Sequence, residues 1–373
     1  MRDKLLTQTK RLVVKIGSSL VASRDGGLRM QQIASITKDL AHIQSTHREV
    51  VVVSSGAVVA GIQRLKFKSY PHSIPLKQAA AAVGQSRLIR AYENAFEKTG
   101  DKVAQILLTH DDLADRKRFL NARHTLTSLI QFGVIPIINE NDSVSVDEIR
   151  FGDNDSLAGQ VAHLIDADLL VILSDVDGLF SADPRVDPSA SLIPFVTKFT
   201  KSIEQAAGQS RNQESRGGMV TKIKAAKHVG RFGVSTLLLN GEKKGLLPAV
   251  LRGESGGTFF LPHQRPLSSR KQWIAYTLRT KGQLLLDQGA IDALLQRGKS
   301  LLPSGIIDVK GHFKAGDAVS CTDKKGKEVA KGLVNYSALT LQKIKGHKTR
   351  DIKKIFGHQE YKEVIHRDNL VLL

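Results

Sequence analysis

Over roughly the first 260 residues, short continuous apolar runs alternate with stretches whose apolar positions recur every three or four residues. Leu12 to Ile16 reads as a buried strand, and Ile33, Ile36, Leu40 and Ile43 then follow at helical spacing. Val50 to Val53 is a β-branched run that stops at Ser54-Ser55-Gly56, a strand entering a turn. The same alternation predicts a helix over 76–98, a strand over Val103–Leu108, a helix over 118–132 and a strand over 134–138. It continues with a helix over 156–166, a strand over 169–173, a helix over 219–230 and a strand over Val234–Leu239. Continuously apolar strands separated by helices predict an α/β fold, with a mostly parallel open sheet sandwiched by helices on both faces.

The pattern changes near Gly256-Gly257-Thr258-Phe259-Phe260, and Pro262 to Arg270 reads as a linker. From Lys281 onward the runs are short and punctuated by glycine. Ile306–Val309, Ala318–Cys321 and Gly332–Val334 suit a small β-rich barrel. Two domains are therefore expected, 1–262 and 280–373.

Cys321 is the single cysteine, which rules out an intramolecular disulfide and suits a reducing, cytoplasmic setting. Lys15 interrupts the first apolar run, and no apolar stretch approaches the roughly 18 residues of a membrane span, so neither signal peptide nor membrane partner is expected. The net charge of +19 is spread along the whole chain. It suits anionic small ligands and leaves open a polyanion partner such as RNA.

Two acid–amide clusters carry the densest chemistry: Asn139-Glu140-Asn141-Asp142 and Asp153-Asn154-Asp155. Each adjoins an apolar run, which puts polar side chains at strand ends and helix starts, where open α/β proteins build their pockets. Such a cage could hold a metal, hold an amino group, or cap its own backbone. There is no Walker loop, because Ala293 stands where the first glycine before Gly298-Lys299-Ser300 would be. Three separate turns could aim amides at phosphate instead: Lys15-Ile16-Gly17-Ser18-Ser19, Ser54-Ser55-Gly56-Ala57 and Gly217-Gly218-Met219-Val220-Thr221-Lys222. Lys15 inside an apolar strand needs a partner or a route to solvent. Lys222 in a first helical turn opposes the macrodipole unless an anion binds there.

Lys15-Ile16-Gly17-Ser18, the Ser54–Ala57 turn and the run from Asp175 to Arg185 resemble the amino acid kinase superfamily. Ala81 to Leu88, Arg118 to Arg123, Asn139–Asp142 and Gly152–Asp155 resemble the glutamate 5-kinase family within it, and the tail from Lys281 resembles a PUA domain. The resemblance implies an amino acid kinase fold and ATP-dependent phosphorylation of the L-glutamate γ-carboxylate to L-glutamyl 5-phosphate, the first step of proline synthesis. It implies that Lys15 and Lys222 neutralise the transferring phosphoryl group while Asp155 holds both lysines. Gly17 and Gly56 amides would cradle phosphate oxygens, and Ser55, Asp142 and Asn154 would bind glutamate. Ser174, Asp175, Arg216, Gly217, Gly218, Met219, Val220, Thr221 and Lys222 would line the site of ATP, which brings Mg²⁺, with no metal held by protein ligands. A homo-oligomer (dimer or tetramer) and feedback by proline also follow from the resemblance. The family carries Gly-Thr where Ser215-Arg216 stand here, with Arg216 as a charged substitute, and threonine where Ser174 keeps a hydroxyl. Two other functions compete: phosphorylation of acetylglutamate, aspartate or carbamate, and RNA binding through the basic tail.

Overall fold

The computed structural model describes residues 2–23, 27–67, 69–71, 73–144, 154–208, 218–262, 271, 274, 278, 280–348 and 362–372. They form two compact units, Met1–Pro266 and Leu267–Leu373. In the first, β1 (Arg11–Ile16), β2 (Glu49–Ser54), β3 (Val103–Leu108), β4 (Ile135–Glu140), β5 (Leu169–Ser174), β6 (Phe195–Val196), β7 (Ser235–Asn240) and β8 (Thr258–Phe260) make one sheet, in the order β3-β4-β2-β1-β5-β7-β8-β6. Every pairing is parallel except β7 with β8, as the continuously apolar strands predict.

Each strand divides its side chains between two cores. Leu12, Val14 and Ile16 join one with Val50 and Val52, under the helices Met30–Ser45 and Ile74–Glu97. Val13, Val51, Val53, Leu170 and Ile172 join the other, under Asn154–Leu164 and Met219–Gly230. A period of two therefore puts Lys15 on the side of Val13, facing the second pair of helices. The chain leaves β1 for β2 on one side and reaches β5 on the other, so β1 lies at a switch point, where a crevice opens beyond the carboxyl ends of the strands.

Three elements differ from the periodicity reading. β4 runs on through Asn139 and Glu140, so half of the first acid–amide cluster is strand rather than turn. Pairing with β3 carries the ladder to Leu108↔Glu140, and that hydrogen bonding outweighs the turn preference of asparagine. Asn154 and Asp155 open a helix expected to begin at 156. Thr258–Phe260, which had marked the change of pattern, is the antiparallel strand beside β7.

The helices Ala57–Arg64 and Ile74–Glu97 touch backbone to backbone. A Cβ on Gly84 would sit 1.8 Å from the Ala57 carbonyl oxygen, and one on Gly61 would sit 1.8 Å from that of Ala80. The second unit carries a separate five-stranded sheet around Leu284, Leu286, Val319, Cys321 and Ala330. No helix among the described residues is long and apolar enough to cross a membrane.

Candidate active site

At the carboxyl edge of the sheet the ends of β1, β2, β4 and β5 meet the starts of the helices Asn154–Leu164 and Met219–Gly230. Lys15 is the penultimate residue of β1, Asp155 lies in the first turn of Asn154–Leu164, and Lys222 in the first turn of Met219–Gly230. The Lys15 ammonium is 2.6 Å from Asp155 Oδ1, and the Lys222 ammonium 3.6 Å from Oδ2. The Thr221 hydroxyl donates to the same Oδ2 at 2.7 Å. All three charged side chains are buried, with Asp155 wholly so. Burial alone would raise the Asp155 carboxyl; the charges of Lys15 and Lys222, with the hydrogen bonds from Lys15 and Thr221, outweigh it and hold it below the ordinary carboxylate range. Asp155 is therefore an anion at neutral pH, and one carboxylate bridges two ammonium groups.

Two cavities flank this bridge. One, of about 290 Å³, is lined by Lys15, Gly17, Ser55, Gly56, Asn139, Glu140, Asp142, Asn154, Ser174, Asp175 and Lys222, with Tyr70 at its side. The other, of about 610 Å³, is lined by Asp175 to Phe180, Asp183 to Arg185, Gly218, Met219 and Asn240. Ser174, Asp175 and Lys222 belong to both walls, so the two cavities meet beside Lys222. In the larger one Asp177 accepts from Lys243 (2.7 Å) and Asn240 (2.9 Å), and these bonds hold its carboxyl low.

The smaller cavity has an amide network as its back wall. Asn154 Nδ2 reaches the Ser54 carbonyl (2.8 Å), the Ser55 hydroxyl (2.9 Å) and Asn139 Oδ1 (3.0 Å). With its nitrogen committed to these acceptors, the Asn154 side chain has its carbonyl oxygen left to offer a ligand. Ser55 accepts from Asn154, which leaves its own proton to donate.

The glycines act differently from one another. Gly17 donates its N–H to the Leu173 carbonyl (3.1 Å), so its amide is engaged within the protein, and it offers a ligand a bare surface rather than a free donor. That differs from the amide cradle expected of it. Gly56 has φ +107°, and a Cβ there would meet Val21 Cγ2 at 2.7 Å, so only glycine fits the turn that opens Ala57–Arg64.

The structure thus brings Lys15, Gly17, Ser55, Gly56, Asp142, Asn154, Ser174, Asp175 and Lys222 to one cavity, with Gly218 and Met219 in the adjoining one and Thr221 on Asp155. Val220 is exposed and lines neither. Asp153, Arg216 and Gly217 lie outside the described residues. Gln85, Tyr92 and Asn240 carried no individual site expectation, and Asn139 only that of a cage or backbone-capping residue. A glutamine and a tyrosine on the buried face of an alanine-rich helix were a signal for the first two.

The amino acid kinase family model matches residues 10–240, and the PUA domain model matches residues 282–356. Glutamate 5-kinases from Geobacter sulfurreducens and Geobacter metallireducens are each 52% identical to the chain, over 100% of both sequences. That of Syntrophotalea carbinolica is 48% identical, again over 100% of both. The chain belongs to the amino acid kinase family, in its glutamate 5-kinase group.

Proposed function

We infer that the protein transfers the γ-phosphoryl group of ATP to the side-chain carboxylate of L-glutamate, giving L-glutamyl 5-phosphate for proline synthesis. The observation that carries this reading is the Lys15–Asp155–Lys222 bridge at the point where two cavities of unequal size meet. The larger cavity suits the nucleotide and the smaller the amino acid, so the reacting groups face each other across the two ammonium groups.

Phosphoryl transfer asks mainly for positioning and for neutralisation of the oxygens around phosphorus. Lys15 and Lys222 supply the charge, and Asp155 keeps both at fixed places before substrates arrive. The nucleophile is a carboxylate, ionised at neutral pH, so no general base has to remove a proton. In the smaller cavity, the Asn154 carbonyl and the Asp142 carboxylate suit the α-ammonium, and the Ser55 hydroxyl suits the α-carboxylate. Ser174, Asp175, Gly218 and Met219 form the nucleotide side, with Arg216 and Gly217 expected to join them. The hard oxygens of Ser174 and Asp175 fit the Mg²⁺ that travels with ATP. Bound there with ATP, that ion would supply further neutralisation of the phosphate oxygens.

The test is ATP-dependent formation of glutamyl phosphate, trapped as the hydroxamate, beside acetylglutamate, aspartate and carbamate. A preference for any of these three over glutamate overturns the reading. Repeating the assay with proline tests the expected feedback, and light scattering tests the expected dimer or tetramer. RNA binding by the PUA domain is a separate proposal, and a salt-dependent affinity for RNA would support it.

A further inference from the structure

On the face of the sheet opposite Lys15, the helix Ile74–Glu97 buries two polar side chains among its apolar ones, Gln85 and Tyr92. Tyr92 meets the Ser54 hydroxyl at 2.8 Å. Gln85 Oε1 accepts from Asn139 Nδ2 at 2.7 Å, and both side chains are more than nine-tenths buried. Asn139 Oδ1 accepts from the Glu140 N–H (2.9 Å) and from Asn154 Nδ2 (3.0 Å).

The polarity of this relay is decided by backbone at both ends. The Glu140 N–H needs an oxygen opposite it, and the Ser54 carbonyl needs a nitrogen, so neither Asn139 nor Asn154 can turn over. Asn139 must therefore point its nitrogen at Ile74–Glu97, where Gln85 receives it. Without Gln85 that nitrogen would be a buried donor with nothing to accept from it, and Asn139 would have to shift to relieve it. A shift of Asn139 withdraws one of the acceptors that holds Asn154. The anchor is stiff as well: Gly84, the residue before Gln85, lies hard against the Ala57 carbonyl, next to Gly56 in the cavity wall.

We propose that Gln85, which lines neither cavity, is a positioning residue that sets selectivity for the α-ammonium of the amino acid by fixing Asn139 and, through it, the Asn154 carbonyl. This rests on glutamate occupying the smaller cavity. The nucleotide side and the two lysines lie outside the relay, so turnover at saturation should be unaffected.

The experiment measures steady-state kinetics of the full chain with glutamate and ATP, and inhibition by glutarate, which carries both carboxylates and no ammonium. Gln85→Met removes the acceptor at similar volume. The expected result is a glutamate KM raised tenfold or more, with the ATP KM and the glutarate inhibition constant within about twofold of the parent. Gln85→Glu keeps an oxygen at that place and should return the glutamate KM to within about threefold. Where the methionine variant fails to fold by circular dichroism, Gln85→Asn, which keeps the amide and loses only reach, replaces it with the same expectation. A glutamate KM unchanged in Gln85→Met and Gln85→Asn overturns the proposal. So does an equal rise in the glutamate KM and the glutarate constant, or a Gln85→Glu variant as impaired as Gln85→Met. Failure of the underlying reading appears separately, as absence of glutamyl phosphate with the parent chain.

Discussion

The Lys15 ammonium lies 2.6 Å from the Asp155 carboxylate, at a place where neither residue is more than a few per cent exposed. A lone charge at either position would be costly to bury. The pair, with Lys222 as third member, is held because both ammonium groups reach the one carboxylate and the Thr221 hydroxyl donates to it as well. The same arrangement presents two ammonium groups to whatever enters between the cavities.

Removing either lysine should therefore affect turnover more than binding. Lys222→Ala and Lys15→Ala are expected to lower kcat about a hundredfold or more, on the scale of losing a preorganised charge donor. Hydroxamate assays at saturating glutamate and ATP measure this. Turnover in Lys222→Ala within tenfold of the parent would show that Lys222 does not face the reacting group. Val220→Ala, on the same helical turn but lining neither cavity, should keep parental kcat.

Asp142→Ala should raise the glutamate KM and leave the ATP KM unchanged. Asp142 lines the smaller cavity and not the larger. An unchanged glutamate KM would place the amino acid elsewhere.

Gly84→Ala should be severely destabilising, by roughly 3 kcal/mol or more, as expected when a methyl group is forced into packed backbone. The added Cβ would meet the Ala57 carbonyl oxygen at 1.8 Å, and no side-chain rotation can relieve a backbone contact. Thermal unfolding of the variant checks it. Gly133→Ala makes a useful contrast: its φ of +71° makes alanine strained, but nothing lies within 4 Å of the added methyl, so the loss should be smaller.

The kinase unit should also lose stability on mild acidification. Burial lowers the His163 imidazole to about 4 and that of His228 to about 3, where they stack against or edge onto Phe232. Between the unfolded imidazole value near 6.5 and these folded values, the unfolded chain binds more protons. Stability is therefore fully present above about 6.5 and falls as the pH drops toward 4. The melting temperature should fall across that window, and His163→Phe, which keeps a ring but cannot take a proton, should flatten the fall. An identical pH dependence in that variant would rule His163 out as a source.

Much of the fold was legible because burial on both faces of a parallel sheet leaves a direct trace: apolar runs such as Val50–Val53 and Leu169–Leu173 have few other uses. The helices expected over 76–98, 118–132, 156–166 and 219–230 lie within two residues of those bounds, while short ones such as His110–Ala114 and Lys201–Gly208 left no such trace. Ala57–Arg64 escaped notice because it is short, and its glycine belongs to a backbone contact that has no pattern in one dimension. The strand expected to end at 138 runs on to Glu140 for a related reason. Local preference favours a turn there, and the ladder to β3 overrides it.

Residue type and local pattern already single out the residues able to carry chemistry: a lysine inside an apolar strand, another at a helix start, and two acid–amide clusters beside apolar runs. A period of two also dictates that Lys15 must leave the sheet on the side of Val13. Which of these side chains meet depends on the folded arrangement of strands and helices. Asp155 bridges Lys15 and Lys222, Asn154 turns its nitrogen to Ser54, and Gln85 reaches Asn139 from another helix. These are contacts between segments far apart in the chain, selected by strand order and by a close helix packing. Hydrogen bonds and ion pairs are short-range, so no local pattern announces them until the strands have been placed side by side.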